Sequence, residues 1–201
     1  MSNLLWGYIP VIAVTINLEP LVSLTDDAFY ALCRANPEVK FERTANGELI
    51  VMPPTGGETG NRNIELAFQL QAWSRQNNLG VAFDSSTMFQ LPNGAYRSPD
   101  AAWILMTRWE ALTLEERKIF PPICPDFVVE LRSPSDSLRA AQNKMQEYID
   151  NGTRLGWLLN PKDQQVEIYR QGQEKEILQA PTHLSGEQVL PGFVLELKGI
   201  L

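Results

Sequence analysis

The chain has 201 residues, 44% of them hydrophobic and 20% charged, with a formal net charge of −7 and a pI near 4.8. That length and composition fit one globular domain able to bury a core without staples. The acidic balance excludes a wholesale basic coat for nucleic acid and leaves room only for a local basic groove.

His183 is the only histidine, and Cys33 and Cys124 are the only cysteines. Multi-histidine metal centres, two-histidine nucleases, zinc-type cysteine spacings and a disulfide framework are thereby excluded, and a reducing, cytoplasmic setting is expected. A Ser-His-Asp arrangement would have to use His183, and no GxSxG elbow accompanies it.

Residues 1–20 are expected to form an extended arm or strand ahead of a single domain over 21–201. The stretch is apolar, but it lacks a basic start, is interrupted at Pro10 and is too short for a membrane-spanning helix. Thr25 predicts the cap of a helix to about Asn36, with Asp26 and Asp27 at its positive end. Residues 41–44 and 48–52 read as strands around an Asn46-Gly47 turn, the strongest short hairpin signal. Residues 55–63, TGGETGNRN, read as a polar loop. A helix to about Asn78 is expected next, with Ile64, Ala67, Phe68 and Gln71 on its apolar face and Leu70 and Trp73 less regularly so.

Short strands at 81–83 and 87–91, a turn at Asn93-Gly94, a strand at 100–105 and one helix over 107–118 follow. Residues 127–132 form the next expected strand, and a helix capped at Ser135 or Asp136 runs to about Asn151. Residues 155–159, LGWLL, are apolar throughout, as in a strand covered on both faces. A hairpin at 165–169 and 175–179 and a last edge strand at 189–197 complete the pattern. Helices mixed with hairpins predict an α/β or α+β fold around a mixed sheet. The C-terminal hairpin strands offer a weak signal for a homodimer surface.

The chemistry concentrates in CPDFVVELRSPSD, residues 124–136. Strand alternation puts Phe127, Val129 and Leu131 on one side and Val128, Glu130 and Arg132 on the other. A carboxylate in so apolar a strand needs a partner. Glu130 reads either as one half of a structural ion pair with Arg132 or as a metal ligand. Asp100 reads either as a strand-opening turn residue or as a second ligand. Lys144 flanks the apolar stripe Leu138, Ala141, Met145, Tyr148 and Ile149, either as a solvated lysine or as one whose stem lies along the buried edge.

These pieces carry a resemblance. Ser-Pro-Asp at 98–100, PDFVVELRSPSD at 125–136, KMQEYIDNG at 144–152 and GWLLNP at 156–161 resemble the Uma-two family of restriction-endonuclease-like proteins, within the PD-(D/E)XK nuclease superfamily. Glu42, Asn46-Gly47-Glu48-Leu49 and Met52-Pro53-Pro54 agree with it, and the likeness spans about residues 20–197. It implies a core sheet flanked by helices and an Mg²⁺- or Mn²⁺-dependent endonuclease acting on DNA.

In that resemblance Asp100 and Glu130, with the Leu131 backbone carbonyl, would bind the metal, and Lys144 would stand in for the motif lysine, whose usual place is taken by Arg132. Arg132, Glu65 and Arg97 are accessory candidates, and Arg97, Arg108, Arg132, Arg139 and Lys144 are candidates to line a groove for phosphates. The competing expectation is a catalytically inactive relative that binds nucleic acid or a protein partner.

Overall fold

The computed structural model describes residues 12–19 and 21–201. In chain order the elements are β1 (Val14–Ile16), α1 (Asp26–Ala35), β2 (Lys40–Arg43), β3 (Leu49–Met52) and α2 (Gly57–Asn77). Then come β4 (Gly80–Asp84), β5 (Phe89–Gln90), β6 (Tyr96–Arg97), β7 (Ala101–Leu105), α3 (Met106–Glu110) and α4 (Leu114–Lys118). β8 (Phe127–Leu131), α5 (Leu138–Asp150), β9 (Leu155–Asn160), β10 (Gln165–Arg170), β11 (Glu176–Gln179), β12 (His183–Ser185) and β13 (Val194–Glu196) complete the chain. No described helix is long and apolar enough to cross a membrane.

The expected mixed sheet has six strands in the order β11-β10-β9-β8-β7-β4. Only β8 and β9 are parallel, and α5 makes the crossover between them. β9 is buried along its whole length, as its unbroken apolar run requires. One face of this sheet carries Trp103, Phe127, Val129 and Trp157 against Leu66, Leu70 and Trp73 of α2 and against the β12–β13 hairpin. The opposite face carries Ala102, Ile104, Val128 and Leu158 against Met145, Tyr148 and Ile149 of α5. Gly156 permits that helix to sit close, since a Cβ there would lie 2.5 Å from Met145 Cε.

A second, antiparallel sheet, β1-β3-β2-β6-β5, packs Phe41, Leu49 and Tyr96 on Phe29 of α1. The predicted N-terminal arm lies mostly outside the described residues. Its described part includes β1, which pairs with β3.

Several boundaries differ from the sequence reading. The loop read at 55–63 is largely the start of α2. Its inward stripe, Thr59, Asn63, Leu66, Leu70 and Trp73, keeps a three-to-four spacing back through the glycines. Packing and the favourable Glu58 in the first turn outweigh the cost of glycine in a helix, about 1 kcal/mol each. The inward face is also rotated from the expected one: Ile64 and Phe68 are each 65% exposed.

The single helix read at 107–118 is two helices, because Thr113 and Glu116 form a reciprocal capping box that starts α4 afresh. α5 is capped by Ser137, not by Ser135 or Asp136. Asp136 Oδ2 instead accepts from the Ser133 amide at 2.8 Å and closes the preceding turn. Within 189–197 only β13 is extended, and β6 has no counterpart in the sequence reading.

Candidate active site

Strand alternation does locally what the sequence requires. Along β8, Phe127, Val129 and Leu131 enter the core facing α2, and Glu130 emerges on the α5 face beside Val128. The antiparallel register pairs Ala101 with Val129. One step further along the same ladder, Asp100 stands opposite Glu130. Asp100 Oδ2 accepts a hydrogen bond from the Leu131 amide at 2.8 Å, which ties the two strand ends together. The backbone N–H and C=O of one strand residue point to the same lateral side, so the Leu131 carbonyl is directed toward the Asp100 edge as well.

From α5, Lys144 and Tyr148 lie one turn apart and reach the same carboxylate. Lys144 Nζ is 2.8 Å from Glu130 Oε1, and Tyr148 Oη donates to that oxygen at 3.0 Å. The ammonium is shared: it also lies 2.8 Å from Glu42 Oε1 and 3.3 Å from the Ser98 carbonyl. Glu42, on β2, takes the Ser98 amide at 3.0 Å and Arg97 Nη1 at 3.2 Å. Arg97 Nε in turn donates to Glu147 Oε2 at 2.6 Å. On the far side of Asp100, Asn63 of α2 donates Nδ2 to Asp100 Oδ1 at 3.1 Å.

Burial and unequal charge set the protonation of this cluster. Burial pushes the Glu130 carboxyl up to about 7; Lys144 opposes the rise, and Asp100 and Glu42 add to it. Asp100 is also raised by burial, against the pull of the Leu131 amide and Lys144. Glu42 is buried too, but Lys144 and then Arg97 outweigh that burial and hold it below the usual carboxylate range. Burial works against the Lys144 ammonium, yet Glu130 and Glu42 together hold its affinity for the proton above normal. Within this contact set four carboxylates (Glu42, Asp100, Glu130, Glu147) face two cations (Arg97, Lys144). When all are ionised, the surplus equals the charge of one divalent ion. Lys40 adds a positive field at Asp100 without touching it.

The donors suit a hard cation. They are carboxylate oxygens and a strand carbonyl, and Asn63 Oδ1 is a buried oxygen with no protein partner among the described residues. Among those residues no three His, Cys, Asp or Glu side chains form a metal cage. Such a pair of acids matches the sparse protein ligation usual for Mg²⁺.

The structure therefore brings together Asp100, Glu130, Lys144 and Arg97 of the residues singled out from sequence. It does not bring in the others. Arg132 turns away from Glu130, with Nε on the Asp136 carbonyl and Nη1 3.1 Å from both Asn160 Oδ1 and Asp163 Oδ2. Glu65 accepts from Gln69 on the exposed side of α2. Arg108 pairs with Asp126 at 2.9 Å, and Arg139 is exposed, so the five basic residues do not line one groove.

Glu42, Asn63 and Tyr148 complete the cluster without having been read as site residues. Glu42 carried a legible signal, a carboxylate between Phe41 and Arg43 in a strand, the same anomaly as Glu130.

A family model described as "Uma2: Putative restriction endonuclease" matches residues 26–198. Among solved structures, a protein from Anabaena variabilis ATCC 29413, titled a "putative nuclease belonging to DUF820", is similar with a TM-score of 0.69 and 23% identity. The match covers 81% of this chain and 90% of that one, and at this identity it speaks for the fold. Among curated proteins none matches.

Proposed function

The chain belongs to the Uma2 family, and from that premise we propose that it is a divalent-cation-dependent endonuclease that hydrolyses phosphodiester bonds of DNA. The observation that carries the reading is the meeting of Asp100 and Glu130 at the adjoining ends of β7 and β8, where Asp100 Oδ2 takes the Leu131 amide at 2.8 Å and Lys144 Nζ lies 2.8 Å from Glu130. The same strand–strand–helix order of Asp, Glu and Lys supports a PD-(D/E)XK-type site.

In this reading Asp100 and Glu130, with the Leu131 carbonyl, hold Mg²⁺ or Mn²⁺. Bound there, the ion supplies Lewis acidity to the scissile phosphate and lowers the pKa of a coordinated water. The chain's own residues do the rest. Tyr148 fixes the Glu130 carboxylate through its hydroxyl. Lys144 stays protonated, so it acts as a donor and a positive charge: it orients the attacking water or stabilises the charge that builds on the phosphoryl oxygens. Glu42 and Ser98 hold that ammonium in place. Arg97, clamped between Glu42 and Glu147, is a second cation behind the site.

The test is cleavage of supercoiled and linear DNA with Mg²⁺ or Mn²⁺ by wild type, Asp100→Asn and Glu130→Gln. The expected result is cation-dependent cutting that drops by at least about 10²-fold in each variant, in line with losses seen when groups that stabilise transition-state charge are removed. Equal cutting by all three would assign the activity elsewhere. A second reading rests on the neutralisation of Lys144 by two carboxylates: a non-catalytic relative that binds nucleic acid or a protein partner. DNA binding without cutting under every cation condition would favour it.

A further inference from the structure

Asn63 is the one member of the cluster delivered by α2, from the opposite side of the six-stranded sheet to α5. Its amide orientation is set by chemistry. Asp100 Oδ1, 3.1 Å away, is an acceptor, so the group facing it is the Nδ2 donor; the reverse orientation would set two oxygens against each other. This leaves Oδ1 as a buried acceptor with no protein partner among the described residues.

A buried polar atom is ordinarily paired, and an exception calls for an explanation such as an ion or an ordered water. Here the orphan sits on the amide that already touches Asp100, one of the two acids of the proposed cation site. Carboxamide oxygens are ordinary hard-cation ligands, and they also accept hydrogen bonds from the waters that Mg²⁺ retains. Asn63 lies in the second turn of a 21-residue helix whose Leu66, Leu70 and Trp73 are packed into the core, so the amide is held by a rigid element.

We infer that Asn63 Oδ1 is the third side-chain oxygen of the cation site, facing the ion or one of its coordinated waters, while Nδ2 positions Asp100. The inference rests on the cation-dependent reading above and adds a neutral ligand from α2 to the two acids.

The experiment is a titration of the full-length chain with Mn²⁺, the free ion being followed by its electron paramagnetic resonance signal, at a pH above 7. Wild type, Glu130→Gln, Asn63→Ala and Asn63→Asp are compared, with folding checked by circular dichroism in EDTA. Glu130→Gln reports whether the ion occupies the proposed site.

Asn63→Ala is expected to weaken Mn²⁺ binding by about 10- to 100-fold, the range for residues that support metal ligands. Asn63→Asp is expected to bind at least as tightly as wild type, because an oxygen facing the ion then carries a charge. A residue that merely props Asp100 gives the opposite sign, since a carboxylate at 63 repels it. Wild-type affinity in Asn63→Ala, weakening in Asn63→Asp, or wild-type binding indifferent to Glu130→Gln would each overturn the inference. If Asn63→Ala does not fold, the sign of the Asn63→Asp effect decides alone. DNA cleavage is scored separately: a chain that binds Mn²⁺ as expected and cuts nothing ends the nuclease reading and leaves the role of Asn63 standing.

Discussion

The two faces of the six-stranded sheet are made by the same strands and both bury apolar side chains, but only the α5 face also carries a charged cluster. On the α2 face, Phe127 and Trp157 meet edge to face at 4.8 Å, Trp157 stacks on Phe193 at 6.1 Å, and Trp73 bridges Trp103 and Phe193. On the α5 face, the same β8 turns from Val128 to Glu130 and enters a network of carboxylates, Lys144 and Arg97. The first face hides apolar area and stabilises the fold. The second places like charges in a poorly solvated site, which costs stability that the first must offset. A one-residue change of parity in β8 would exchange these tasks, so the register of β7 with β8 is what places the site.

The largest expected effect is on the apolar face. Trp157→Ala, which empties a fully buried ring site, should cost about 3–5 kcal/mol in urea unfolding. Next is Glu42→Ala. Removing the one carboxylate shared by Lys144 and Arg97 breaks two buried ion pairs at once, a loss of about 3 kcal/mol by the same measurement.

Smaller, and opposite in sign, is Glu130→Gln. In the metal-free protein it should raise stability by about 1–2 kcal/mol near pH 8 while abolishing activity, since it removes a carboxylate crowded by Asp100 and Glu42. Equal or lower stability of the variant at that pH would erase the contrast between the faces.

The pH dependence sharpens the comparison. Glu130 binds its proton more tightly in the folded chain, with a pKa of about 7 against 4.5 for an ordinary glutamate carboxyl. A raised folded pKa stabilises the fold fully below the unfolded value, and that contribution is lost as pH climbs through the folded one. Metal-free wild type should therefore lose stability between about pH 4.5 and 7, and Glu130→Gln should show a flatter profile in that window. Cation binding should displace this proton, so near pH 6 it should be accompanied by proton release, measurable by calorimetry in buffers of different ionisation enthalpy.

Much of this contrast was legible in the chain. Period-two alternation placed Glu130 off the apolar face, the unbroken LGWLL run marked a strand covered on both sides, and the Asn46-Gly47 and Asn93-Gly94 turns are where the strands reverse. The spacing of Lys144 beside the α5 stripe allowed both a solvated lysine and one at the edge of the core, and the structure has the second.

What stayed hidden was non-local or masked by local chemistry. Three glycines made the start of α2 look like a loop, and with it went Asn63. The alternative stripe through Ile64 and Phe68 fits helical spacing as well as the true one, and only tertiary packing chooses between them. Arg132 occupies the motif position, yet Asp163, beyond the end of β9, draws it away, a pairing across 31 residues that no local pattern announces. Glu42 meets Lys144 across 102 residues.

The most direct test is a crystal of the wild-type chain soaked in Mn²⁺, with anomalous scattering recorded. The expected result is a peak between the carboxylates of Asp100 and Glu130, within coordinating distance of both and lost in Glu130→Gln. A peak elsewhere, or none at saturating Mn²⁺, would contradict a cation site built on those two acids.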